Sequence, residues 1–132
     1  MAIIDDLKPI GLLYNEGRYD DCMRDLRLLW NNIPPPKEQD GNTFLVLLYA
    51  TKILLLQGKK EEAIEWALKG MMYNGTRSLG GEGELLLGAC AFEAGRMELA
   101  RDMFCTARRK GGKRIFKLEK KEYLELTEKK NG

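Results

Sequence analysis

A glycine recurs at comparable points along the chain, at Gly17, Gly58 and Gly95, with spacings of 41 and 37 residues. A basic residue follows each glycine directly, and a small residue follows five positions later: Cys22, Ala63 and Ala100. Apolar residues on both sides recur three and four apart, as in helices with a buried face. Glycine readily adopts the left-handed conformation that ends a helix. The sequence therefore predicts three helix–turn–helix units.

The chain of 132 residues has the length of one domain. We predict an all-α fold in which the three units span about residues 3–33, 43–74 and 82–110. A C-terminal helix over about 117–130 is expected to cover the last unit, because a stacked array needs a terminal element with one polar face. The apolar residues available for that contact are Ile115, Phe116, Leu118, Tyr123 and Leu124. The GGEGE stretch at 80–84 lacks the order of a phosphate-binding loop and is predicted to be a flexible linker.

The chain contains no histidine, which removes the usual general base and the commonest metal ligand. Its three cysteines match no metal-binding or disulfide spacing, so we expect free core thiols in a reducing compartment. We predict a protein that is not an enzyme and has no metal or cofactor. The longest apolar stretch, residues 44–56, contains Lys52 and is too short to cross a membrane. The N-terminus does not resemble a secretory signal, so a cytoplasmic location is expected.

The third unit resembles the tetratricopeptide repeat (TPR) family through Gly88, Gly95, Ala100, Phe104 and Ala107. Other matching positions are Gly58, Ala63 and Ala67 in unit two, and Gly17, Tyr19 and Pro34 in unit one. The unit spacings exceed the family's repeat of about 34 residues, so the linkers are longer. The resemblance implies an α-solenoid in which the first helix of each unit lines a groove that binds a protein segment.

Carrying the family's groove positions onto this chain gives a set of candidate partner-binding residues. They are Tyr14, Asn15, Leu48, Lys52, Leu55, Glu82, Leu85, Phe92 and Glu93. This set predicts an apolar floor with charged edges, and exposed apolar patches of that kind mark interfaces. An equally weighted alternative is that the C-terminal helix or the linkers fill the groove. The family's chaperone-tail clamp is not expected, because Leu7 and Gly11 occupy positions where it needs polar residues.

The tail carries Gly111, Gly112, Phe116, Tyr123 and Leu124 in a pattern that resembles small immunity proteins of bacterial polymorphic-toxin loci. The resemblance implies a cytoplasmic protein that binds and neutralises a cognate toxin. One alternative in the same class is a TPR-type chaperone or adaptor for a secreted effector. The partner is in either case a protein, and no membrane partner is expected.

Charge is unevenly distributed along the chain. Residues 1–106 hold 12 basic and 16 acidic side chains, whereas residues 107–132 hold ten and four. The C-terminal excess includes a basic cluster formed by Arg108, Arg109, Lys113 and Arg114. Such a cluster can bind an acidic surface or nucleic acid. Cations are also favourable at a helix C-terminus, so we interpret the basic cluster as a solvent-exposed helix end. A nucleic-acid-binding regulator is the alternative function from a different class.

Overall fold

A computed structural model describes residues 3–37, 43–73 and 80–128. Within these ranges the chain forms seven α-helices, one short 3₁₀ helix and no strand, which confirms the all-α prediction. The helices are α1 (Ile3–Asn15), α2 (Tyr19–Asn32), α3 (Thr43–Leu56), α4 (Lys60–Tyr73), α5 (Glu82–Glu93), α6 (Met97–Gly111) and α7 (Lys121–Glu128), with the 3₁₀ helix at Lys113–Phe116. Each α-helix packs against the next one along the chain, from α1 through to α7.

The three predicted turns have the same geometry. Gly17, Gly58 and Gly95 have φ angles of 74°, 76° and 80°, in the left-handed region that a side chain disfavours. In the first turn the amide of Arg18 donates to the carbonyl of Leu13 at 2.9 Å. Lys59 and Arg96 donate to Leu54 and Ala91 in the same way, at 2.8 Å each. A helix that ends with a left-handed glycine and this backbone hydrogen bond has a Schellman motif. The geometry confirms the predicted role of the three glycines.

The main core is built around α3, which is buried on most of its surface. Its fully buried residues include Val46, Leu47, Ala50 and Leu54. On the side of α2 and α4, the rings of Trp30 and Trp66 meet edge to face with centroids 6.0 Å apart. The pairing joins the first two helical hairpins through apolar area and ring geometry.

A second apolar cluster closes the C-terminal end, and we call it the cap cluster. It consists of Phe92, Phe104, Phe116 and Tyr123, with Phe104 fully buried at its centre. The Phe104 ring lies 4.7 Å from that of Tyr123 and 5.9 Å from that of Phe116. The C-terminal residues therefore cover the third hairpin, as the sequence predicted.

The C-terminal segment differs from prediction in two respects. The C-terminal helix begins at Lys121 rather than near 117, because the 3₁₀ helix first places Phe116 in the cap cluster and a turn follows. Leu118, expected to cover the last unit, is 93% exposed on that turn. The predicted extension of the helix to residues 129–130 lies outside the described residues.

The glycine-rich stretch before α5 is not a flexible linker where it is described. Gly83 lies within α5, and Gly81 is buried with a φ of 83° against the end of α6. A Cβ at Gly81 would lie 2.8 Å from the carbonyl oxygen of Ala107. An ion pair between buried Glu84 and Lys110 joins the same two helix ends. The segments between the predicted units include residues 38–42 and 74–79, which lie outside the described residues.

Candidate functional site

Three adjoining depressions run along the faces of α1, α3 and α5, and we call them together the groove. The first, the α1–α3 pocket, has a volume of about 220 Å³. The second, between α3, α5 and the turn before α7, has about 570 Å³, and the third, at the start of α5, about 210 Å³. The first two share Tyr49 and Lys52, and the last two share Leu48, Leu86 and Glu119. The groove is therefore continuous.

Seven of the nine predicted partner-binding residues line the groove. Tyr14, Asn15 and Lys52 line the α1–α3 pocket. Leu48 and Leu55 form part of the middle depression, and Glu82 and Leu85 line the last one with Leu48. Their placement brings together side chains from three helices that are far apart in the sequence.

Phe92 and Glu93, the other two candidates, lie against α7. The ring of Phe92 meets that of Tyr123 at 5.0 Å. A carboxylate oxygen of Glu93 accepts hydrogen bonds from the Tyr123 hydroxyl at 2.7 Å and from the Lys120 ammonium at 2.9 Å. The C-terminal helix therefore covers the end of the groove, as the filled-groove alternative predicted, but leaves the part along α1 and α3 open.

Hydrogen bonding determines the protonation states of Glu93 and Tyr123 at this contact between α5 and α7. Burial opposes ionisation of Glu93, but the hydrogen bonds from Lys120 and Tyr123 outweigh it and lower the pKa of the carboxyl group. Burial and the same hydrogen bond raise the pKa of Tyr123, which stays a neutral donor. The contact is thus a charge-assisted one that holds α7 on α5.

The two ends of the groove carry opposite charges. Lys52 is the charged residue among the described ones that line the α1–α3 pocket, and its ammonium lies 5.3 Å from the centroid of the Tyr14 ring. At the other end stand Glu82 and Glu119. Partial burial raises the pKa of Glu119. Between these ends the floor is leucine-rich, with Lys52, Glu119 and Lys120 also lining the middle depression.

The sequence did not identify several groove residues. Tyr49 and Leu86 line it, and so do Leu118 and Glu119 on the turn before α7. Helix α3 is apolar around nearly its whole circumference, so its periodicity carries no signal for which face stays open. The residues of the turn were missed because that segment was predicted to be helical.

The predicted basic cluster is divided between two roles. Arg108 donates to the hydroxyl of Thr127 at 2.9 Å and so joins α6 to α7, and Arg109 donates to Thr106 at 3.2 Å. Lys113 and Arg114 are exposed on the 3₁₀ helix. The nearby rings of Phe116 and Tyr123 are buried in the cap cluster, where they are not accessible for stacking on bases.

Other kinds of site find little support in the described ranges. No group of three or more acidic, cysteine or histidine side chains is placed to hold a metal ion in residues 3–37, 43–73 and 80–128. Burial raises the pKa of the Cys90 thiol to about 12, so this cysteine is a packing residue rather than a nucleophile. None of the helices described is long and apolar enough to cross a membrane.

Comparison with known proteins gives no relative from which a role could be carried over. No family model, curated protein or solved structure matches the chain.

Proposed function

We propose that the chain is a TPR-like array of three helical hairpins with a C-terminal cap, and that it is a non-enzymatic protein-binding module. The identical turns at the three glycines and the sequential packing of the helices support the array. Side-chain contacts repeat between neighbouring hairpins as well. Gln57 donates to Asp20 at 2.6 Å across the first pair, and Arg96 pairs with Glu61 across the second.

The open apolar groove is the observation that carries this proposal. Leu48 is 38% exposed, Tyr49 44% and Leu118 93%, and all three line the same depression. Contiguous exposed apolar side chains on a folded protein weaken solubility unless a partner covers them, so they mark interaction surfaces. Aromatic and cationic groups such as Tyr49 and Lys52 are typical of the residues that dominate binding energy.

The specific form of the proposal is an immunity protein that neutralises a cognate bacterial toxin by binding it in the groove. Its support is the resemblance of the tail to such proteins. Three of the tail residues have roles in the fold itself: Phe116 and Tyr123 belong to the cap cluster, and Gly112 ends α6 with a φ of 74°. Because these residues already have structural roles, the identity of the partner as a toxin is tested by its effect on growth rather than inferred from the tail sequence.

A matched pair of leucine substitutions tests the proposal. Leu48 lies in the groove on α3, and Leu28 is 57% exposed on α2 and lies outside the groove. We expect Leu48→Asp to abolish co-purification of the protein partner from the source cells, and Leu28→Asp to retain it, with both variants folded by circular dichroism. Equal retention of the partner by both variants would contradict binding in the groove.

The toxin form of the proposal needs a second readout. The co-purified protein should arrest growth when it is expressed alone, and co-expression of this chain should restore growth. Leu48→Asp should fail to restore growth, whereas Leu28→Asp should succeed. A partner without toxicity that is secreted with this chain's help would instead establish the chaperone alternative.

A further inference from the structure

Three helices of this protein contain a glycine in their interior, although glycine weakens a helix relative to alanine. At Gly88 packing excludes a side chain, and at Gly70 it leaves only tight space for one. A Cβ at Gly88 would lie 2.7 Å from the ring of Phe104, and one at Gly70 would lie 3.3 Å from the ring of Phe44. Gly11 in α1 differs, because a Cβ there would meet no atom within 4 Å. Packing against the described residues gives no reason for this glycine.

Gly11 lies instead in the wall of the α1–α3 pocket. Any side chain at this position would begin at the pocket wall, next to open space. The glycine thus keeps the pocket unfilled while it weakens the helix that forms one side of it. A position that lowers helix stability and keeps a cavity open is typical of a binding site rather than of a core.

The walls of the pocket define what it can hold. Leu7, Ile10 and Ile53 supply aliphatic surface, and Tyr14 and Tyr49 supply aromatic surface. The volume of about 220 Å³ is below the range of about 300–1,000 Å³ that drug-sized ligands need, and it suits one large apolar side chain.

Among the described residues that line the pocket, Lys52 carries the charge. Lys52 is exposed and has no ion-pair partner among the described residues; its ammonium rests over the ring of Tyr14. A cation held beside an apolar pocket favours a carboxylate next to the group that fills the pocket.

We propose that the α1–α3 pocket is the anchor site for the protein partner, and that it takes a large apolar side chain of that partner with an acidic residue beside it. This inference rests on the proposed function, since it names the chemistry of the partner at the same groove. It commits to a segment within a protein chain as the occupant, and not to a free small acid.

Blocked dipeptides test the chemistry of the pocket without knowledge of the partner. The probe is acetyl-Phe-Glu-amide, with acetyl-Phe-Lys-amide as the charge control, titrated into ¹⁵N-labelled protein and followed by amide chemical shifts. We expect shifts at residues around the pocket and a Kd of about millimolar for so small a ligand. The acidic probe should bind about two- to fivefold more tightly than the basic one, the ratio that an exposed ion pair supplies.

Two variants connect that binding to the pocket. Gly11→Leu fills the pocket and should abolish the shifts, whereas Asn32→Leu adds the same side chain at an exposed site on α2 and should leave them unchanged. Lys52→Gln should remove the preference for the acidic probe but keep binding of the phenyl group. Both blocked probes would then bind with similar Kd.

The proposal is overturned if neither dipeptide shifts the pocket residues, or if Gly11→Leu binds the acidic probe as tightly as the unmodified protein. It is also overturned if free 3-phenylpropionate binds and the blocked dipeptides do not, since the pocket would then serve a small acid. Failure here leaves the result of the Leu48→Asp and Leu28→Asp comparison unaffected, so the two proposals fail separately.

Discussion

The same substitution, glycine to alanine, should have opposite effects at two interior helix positions of this protein. At Gly88 the new methyl group would lie 2.7 Å from two carbons of the Phe104 ring and 3.3 Å from the Cβ of Met103. Phe104 is fully buried between Phe92, Phe116 and Tyr123, so its ring has little freedom to retreat. At Gly11 the new methyl group enters open space.

The expected magnitudes follow from two terms. Alanine improves a helix interior by about 0.5–1 kcal/mol relative to glycine. An extra methyl group in a packed core costs about 1–3 kcal/mol. Gly11→Ala should therefore raise the free energy of unfolding by about 0.5–1 kcal/mol. Gly88→Ala should lower it by roughly 1 kcal/mol, and by no more than about 2.5 kcal/mol, after the helix gain is subtracted. In a chain of this length each kcal/mol moves Tm by about 3–5 °C.

Urea unfolding followed by circular dichroism at 222 nm measures both values, with equal m-values as the test that the variants remain comparable. Adding Phe104→Leu makes room beside position 88. In the Gly88→Ala background this second change should cost less than it does alone, by at least about 0.5 kcal/mol of coupling. Equal stability of Gly88→Ala and the unmodified protein, or an absence of coupling between positions 88 and 104, would show that the Phe104 ring does not restrict position 88.

Three further predictions concern the cap cluster and the thiols. Tyr123→Phe removes the hydrogen bond to the Glu93 carboxylate and should lower the free energy of unfolding by about 1.5–3 kcal/mol in urea titrations. An unchanged free energy of unfolding would indicate that the hydroxyl is bonded to water instead of Glu93. Because the pKa of Glu93 is lowered, its contribution is present above the ordinary carboxyl value of 4.5 and is lost as pH falls through its lower value in the folded protein. Glu93→Gln should flatten that part of the stability–pH curve, and an unchanged acid limb would contradict the assignment. Alkylation with N-ethylmaleimide should modify Cys105 first in the native protein and reach buried Cys22 and Cys90 only in urea, as mass spectrometry of timed samples would show.

The repeat turns could be predicted from sequence because a local rule determines them. A left-handed residue is needed where each helix ends, and glycine adopts that conformation at the lowest cost. The three turns at Gly17, Gly58 and Gly95 could be located for this reason. Gly88 was also recognisable, since a small residue at that distance from the turn predicts a close approach of helices.

The C-terminal segment could not be predicted in the same way. Its lysines and glutamates suit a helix, and local propensity gives no reason to stop one at Leu118. The 3₁₀ helix forms because it allows Phe116 to reach the ring of Phe104, a contact between residues in different elements. Which apolar residues stay exposed also depends on that arrangement, so the position of Leu118 was unpredictable.

The site was predictable in composition but not in extent. The alignment placed Tyr14, Lys52 and Leu48 on one surface, and the structure brings them together. It did not reveal that α7 would engage Phe92 and Glu93. That contact depends on where the cap cluster directs the chain, which is a tertiary property.

Site-specific photocross-linking tests the central claim, that a protein binds in the groove, most directly. A benzoylphenylalanine at position 49 lies at the junction of the α1–α3 pocket and the middle depression, and one at position 28 lies on α2 outside the groove. After irradiation of the source cells, position 49 should give one discrete cross-linked protein that is lost in Leu48→Asp, and position 28 should give none. A cross-link from position 28, with none from position 49, would contradict the account.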